Sequence, residues 1–203
     1  PRGSGPVSVH LDLLGGAAPA DDRPAPSRPR VVPVLVPHGH CADGCPLCPP
    51  GPEPEVTEAL MPEPADVAEA VLRHRNRGHA DERPTWLALY GGSVTDLDHT
   101  RRAPLLDAAE REVRSGRVDG VRLTCTPSGL LRAPLGEWVA RGVRSVELAS
   151  WTLDHHVLRD CGSRETGELT RRAVAKARHH GIDTTVVLMP GLPGDSHERS
   201  VRT

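Results

Sequence analysis

The chain has 203 residues, a formal net charge of −2, 2% aromatic residues and no phenylalanine. That length suits one domain of ordinary size, and the near-neutral charge excludes a chain-wide basic footprint for nucleic acid or membrane surfaces. No apolar run is long enough to span a bilayer, no charged-then-apolar signal stands at the start, and Leu, Val and Ala must build the core.

Residues 1–30 are rich in Pro, Gly, Ala and Asp. They bury too little apolar surface to offset the entropy of ordering, so a flexible, disordered leader is expected. Val31 to Val36 is the first predicted strand, with Pro33 tolerated if its nitrogen faces away from a neighbour. The segment His38-Gly39-His40-Cys41-Ala42-Asp43-Gly44-Cys45-Pro46-Leu47-Cys48 follows. A Pro-rich connection is expected over 49–62. Pro64 opens a helix that buries Val67, Ala70 and Val71 and closes at Gly78. Thr85 to Tyr90 is the second strand and ends on Gly91-Gly92-Ser93.

A helix is expected from about Pro104, with Leu105, Leu106, Ala109 and Val113 on one face, stopping at Gly116. Val121 to Thr126 is the third strand, ended by Pro127. A short helix over 135–140 stops at Gly142. Val143 to Leu148 is the fourth strand. A helix over about 165–180 stops at Gly181. Ile182 to Met189 is the fifth strand, followed by Pro190-Gly191-Leu192-Pro193-Gly194-Asp195. Ser196 to Thr203 reads as the start of another helix.

Alternating strands and helices predict an α/β fold with a parallel sheet and crossover helices. The unusual residues fall at strand C-terminal ends. These are the cysteine segment, Gly91-Gly92-Ser93, Thr124-Cys125-Thr126-Pro127, Glu147 and the turn after Met189. Parallel α/β folds place their sites there.

Three of the five cysteines, Cys41, Cys45 and Cys48, form a C-x3-C-x2-C pattern. An odd, clustered set favours metal chemistry and a reducing compartment over a disulfide framework, so a cytoplasmic location is expected. Soft thiolates suit zinc or an iron–sulfur cluster. In a four-iron cluster, three cysteines leave one iron open, as catalytic metal sites require. A closed zinc site would need His38 or His40 as fourth ligand.

Several motifs together resemble the radical S-adenosylmethionine superfamily. More narrowly, they are similar to the subgroup of the Elongator catalytic subunit and the oxygen-independent coproporphyrinogen oxidases. They are the cysteine pattern after a first strand, Tyr90-Gly91-Gly92-Ser93 with Thr95, Val146-Glu147-Leu148, and Leu188-Met189-Pro190-Gly191-Leu192-Pro193-Gly194-Asp195. The resemblance runs over 31–203 and implies a partial parallel (β/α) barrel of about five strands. The family core has six strand–helix units, so a core incomplete at its C-terminus is expected.

The resemblance implies that Cys41, Cys45 and Cys48 bind a [4Fe–4S] cluster whose fourth iron is chelated by S-adenosylmethionine. Reductive cleavage would yield a 5′-deoxyadenosyl radical that takes hydrogen from a substrate. Gly91, Gly92, Ser93, Glu147, Arg164, Met189 and Gly191 would bind the cofactor; no side chain is assigned a catalytic step. The implied partners are a flavodoxin- or ferredoxin-type electron donor and a substrate, with tRNA one class within the subgroup. No membrane partner is expected. Leu47, Trp151 and Ser163 depart from the subgroup's pattern. A rival reading, a non-catalytic or degenerate metal-binding protein, draws on those departures.

Other residues have ordinary readings. Cys125 and Cys161 read as buried thiols. His155, His156, His179 and His180 read as solvated helix ends. Arg73, Arg75 and Arg77 read as a solvated face, and Trp86, Trp138 and Trp151 as packing residues.

Overall fold

The structure, a computed structural model, describes residues 29–38, 54–78 and 83–203. Cys41, Cys45, Cys48 and nearly all of the expected leader lie outside the described residues. The elements are β1 (Arg30–Val36), α1 (Pro54–Ala59), α2 (Pro64–Asn76), β2 (Thr85–Gly91), α3 (His99–Arg114), β3 (Gly120–Cys125), α4 (Pro127–Arg132), α5 (Leu135–Ala140), β4 (Val143–Trp151), α6 (His155–Asp160), α7 (Gly167–His179), β5 (Asp183–Leu188) and α8 (His197–Arg202).

All four strand pairs are parallel, and the sheet order follows the chain, β1-β2-β3-β4-β5. Parallel neighbours need crossovers, and these turn right-handed. Strands added in one direction therefore put every crossover on one face. That is the arc of a barrel; a doubly wound sheet reverses its order at a switch point. Pro33 sits in β1, which pairs only with β2 among the described residues, so its missing N–H costs no ladder bond to a second neighbour.

Side chains alternate across each strand. Val32, Val34, Val36, Leu87, Leu89, Val121, Leu123, Val146 and Leu148 face the helices and are buried. Burying each contributes about 1.5–3 kcal/mol. α2 packs on β1 and α3, α3 also on β3, and α7 on β4, β5 and α4. Residues of the opposite face, here called the inner face, include Val31, Leu35 and Tyr90, each at least 40% exposed. They lie in register across β1 and β2, Val31 beside Trp86 and Leu35 beside Tyr90.

Five local expectations are corrected. The third helix begins at His99, not Pro104, because Asp98 Oδ1 accepts the Arg101 N–H at 2.9 Å and caps it. Pro104 then lies inside the helix as its sixth residue, where it lacks the N–H that would bond the Thr100 carbonyl. Pro127 does end β3, but it also opens α4, which Thr126 caps through Gly129 N at 3.2 Å. Residues 54–59 of the expected connection form α1, and Asp154 caps an unexpected α6. β4 runs on to Trp151.

A six-residue helix such as α4 is not stable alone. It is held at both ends from the α6–α7 region. Glu165 accepts the Ser128 N–H at 3.1 Å near its start. Lys176 Nζ donates to the carbonyls of Leu130, Leu131 and Ala133, at 3.3, 2.8 and 2.8 Å, at its end. Lys176→Met removes a charged donor from those carbonyls and should cost about 1.5–3 kcal/mol in urea unfolding. An unchanged midpoint would contradict this role.

Candidate functional site

The C-terminal ends of β1 and β2 are held together by backbone. Gly92 N donates to the Val36 carbonyl at 2.7 Å. Gly91 has φ +100°, and a Cβ there would stand 2.7 Å from the Val36 oxygen. A Cβ on Gly92 would stand 2.4 Å from the Pro37 oxygen. The space that side chains would take is thus filled by the end of β1. The two glycines seat the strand that leads into the cysteine segment, a role the sequence alone does not reveal.

Ser93 belongs to a hydroxyl cluster that joins β2 to β3. Its Oγ shares a hydrogen bond with Thr95 Oγ1 at 2.7 Å and accepts from Thr126 N at 3.1 Å. Thr126 Oγ1 donates to Asp96 Oδ1 at 3.1 Å. Val94 N donates to the Thr124 carbonyl at 2.8 Å.

Glu147 stands on the inner face, in register with Thr124 of β3 and Thr185 of β5. Its side chain is 28% exposed. Arg122 Nη1 donates to Glu147 Oε1 at 3.2 Å. The Arg122 guanidinium also lies 5.2 Å from the centre of the Trp86 ring, a cation–π distance. Sequence reasoning missed Arg122. Its signal was present: alternation along Val121-Arg122-Leu123 turns Arg122 away from the helices.

β4 ends in a bulge. Trp151 has φ +62°, and the register with β5 shifts between Ala149 and Trp151. The Met189 N–H donates to the Trp151 carbonyl at 2.7 Å, while the Trp151 side chain packs on a small cluster of Val157, Cys161 and Leu192. The indole therefore anchors the turn after β5. Met189 is 41% exposed. Gly191 has φ +85°, and a Cβ there would meet nothing within 4 Å.

Asp195 closes that turn. It accepts the Gly191 N–H at 2.8 Å and the Ser200 hydroxyl at 2.6 Å. Asp154 binds α8 to the same rim by accepting from Arg199 Nη1 at 3.1 Å. Burial pushes the Asp154 carboxyl up, but the Val157 and His156 N–H groups and Arg199 outweigh it and hold it below the usual range.

Arg164 is exposed on the connection from α6 to α7. Its neighbour Glu165 is 9% exposed and takes the Ser128 hydroxyl at 2.5 Å. That bond draws the connection against the end of β3. Ser163 Oγ accepts the Glu165 N–H at 3.1 Å. Cys125 and Cys161 are buried, and burial pushes the Cys125 thiol up.

Gly91, Gly92, Ser93, Glu147, Arg164, Met189 and Gly191 thus belong to β2 and β4 or to the connections that follow β2, β4 and β5. His38, exposed, leads out of β1 at the same end. Among the described residues no group of three or more His, Cys, Asp or Glu is placed to hold a metal, and no helix is long and apolar enough to cross a membrane.

No protein-family model and no curated protein matches the sequence. Solved structures do match. Elp3 from the archaeon Methanocaldococcus infernus, with residues 1–46 deleted, aligns over 86% of this chain at 18% identity and a TM-score of 0.61. The radical S-adenosylmethionine methyltransferase TsrM from Kitasatospora setae, with tryptophan and aza-SAM bound, aligns over 85% at 22% identity and a TM-score of 0.54. TsrM with cobalamin and a [4Fe–4S] cluster bound aligns over 82% at 22% identity and a TM-score of 0.52. The chain has the radical S-adenosylmethionine fold. It spans 41% of the Elp3 chain and 32% of TsrM, less than half of either.

Within that fold the rim makes two predictions. Gly191→Ala meets open space and should cost only the left-handed backbone penalty, about 1–2 kcal/mol. Gly92→Ala must displace the Pro37 carbonyl and should lower the unfolding midpoint further. Equal losses in the two variants would contradict the seat described for β1.

The second concerns acid. The Ser200 hydroxyl, then the Gly191 N–H, hold the Asp195 carboxyl below its ordinary range. A group depressed on folding adds stability that is complete above the unfolded value, about pH 4, and is lost as pH falls through the folded value. Thermal melts of wild type and Asp195→Asn should therefore differ at about pH 6 and converge as the pH falls below about 4. A constant gap would contradict the linkage.

Proposed function

We propose that this chain is the cluster- and S-adenosylmethionine-binding core of a radical enzyme. The supporting observation is where the cysteine segment is tethered. His38 leads out of the C-terminal end of β1, and Cys41 follows three residues later. Three residues of chain reach at most about 11 Å. That tether brings Cys41, the first of the three, within reach of the sheet end that bears Gly91 and Gly191.

The residues there fit the group. Cys41, Cys45 and Cys48 would hold three irons and leave one corner open. Glu147 offers Oε2, which has no hydrogen-bond partner among the described residues, towards a ribose hydroxyl or an ammonium. Met189 supplies exposed apolar surface for a purine, and Gly191 leaves room for it. Ser93 acts indirectly, by fixing β2 against β3. Arg164, exposed on the α6–α7 connection, would serve a carboxylate.

When bound, such a cluster and its cosubstrate would supply reductive cleavage chemistry and hydrogen abstraction from a substrate. The protein's own share is position and exclusion of water. Two partners follow: a one-electron donor of flavodoxin or ferredoxin type, and a substrate reaching the inner face. A tRNA base is the class to test first, by likeness of fold to Elp3 alone.

Anaerobic reconstitution with iron and sulfide should give about four irons per chain. With dithionite, the product should cleave S-adenosylmethionine to 5′-deoxyadenosine. Cys45→Ala should abolish cluster binding. Stoichiometric zinc with no cleavage would favour the non-catalytic metal-binding reading.

A further inference from the structure

We infer that Arg122 is a positioning residue for Glu147, presenting its free carboxylate oxygen to the cofactor. This rests on the reading that Glu147 faces S-adenosylmethionine.

The argument starts from the sheet's layers. Glu147 shares a layer with Thr124 and Thr185. Arg122 lies one layer farther from the C-terminal rim, in register with Ala88 on one side and Ser145 on the other. Both neighbours are small and buried. Between them the guanidinium rests over Trp86 at 5.2 Å and reaches up to Glu147 Oε1 at 3.2 Å. One carboxylate oxygen is thereby fixed, and the other is left for a ligand.

Stability alone does not account for Arg122. The Arg122 Nε is buried and has no hydrogen-bond partner among the described residues, which is unfavourable. The pair is partly exposed, with side chains at 22% and 28%, and such pairs add little to folding. An apolar side chain on Trp86 would avoid the orphaned donor. What only arginine supplies here is a rigid fork, seated on an aromatic ring, that holds one oxygen of Glu147.

The test is a double-mutant cycle on the anaerobically reconstituted 203-residue chain, read as S-adenosylmethionine affinity by equilibrium dialysis. Arg122→Gln should weaken binding about tenfold when Glu147 is present. In the Glu147→Gln background it should have no further effect. Arg122→Met keeps an apolar stem against Trp86 and should reproduce both results. Equal weakening in both backgrounds, or none in either, overturns the inference and leaves the cofactor reading standing. Absence of binding by the wild type overturns the cofactor reading and this inference with it.

Discussion

One backbone hydrogen bond, from Gly92 N to the Val36 carbonyl, sets where the cysteine segment begins. It forms only because neither Gly91 nor Gly92 carries a Cβ. At both positions an added carbon would stand under 3 Å from a carbonyl oxygen of Val36 or Pro37. β1 has a single described neighbour in the sheet, and buried Val36 packs its last residue into the core. The start of the cysteine segment thus rests on that main-chain contact together with the burial of Val36.

The rest of the rim repeats that logic with side chains. Each strand end is tied to the next before any ligand is considered. Ser93, Thr95 and Thr126 join β2 to β3. Glu165 joins the connection after β4 to the start of α4, just past β3. The Trp151 carbonyl and the indole packed on Leu192 join β4 to the turn after β5. Rigid tips of this kind suit a site that must hold a reactive species in a fixed direction. They also give Trp151 a use in which its left-handed backbone, costing about 1–3 kcal/mol, is offset by packing.

Much of this was legible in the sequence where the signal is local. The five strands read correctly because β-branched or Leu-rich runs end on Gly, Pro or polar breakers. α2 and α7 read correctly from apolar spacing. The misses are of two kinds. Short capped turns escaped, since α4 and α6 have six residues and too little periodicity, and Pro127 served two elements at once. Nonlocal partners also escaped. Nothing in Gly91-Gly92 announces that the end of β1 fills their space, and nothing in Arg122 announces Glu147 twenty-five residues on. The C-x3-C-x2-C segment was the clearest sequence signal of all, and the strand that precedes it is what the fold adds.

The arrangement we propose for this fold is a cluster at the rim with one iron open to the cosubstrate. Electron paramagnetic resonance of the reconstituted, dithionite-reduced chain tests it most directly, recorded before and after adding S-adenosylmethionine. Chelation of the open iron by the methionine amino and carboxylate groups should shift the cluster's g values. A reduced cluster whose spectrum is unchanged at saturating S-adenosylmethionine would contradict the account.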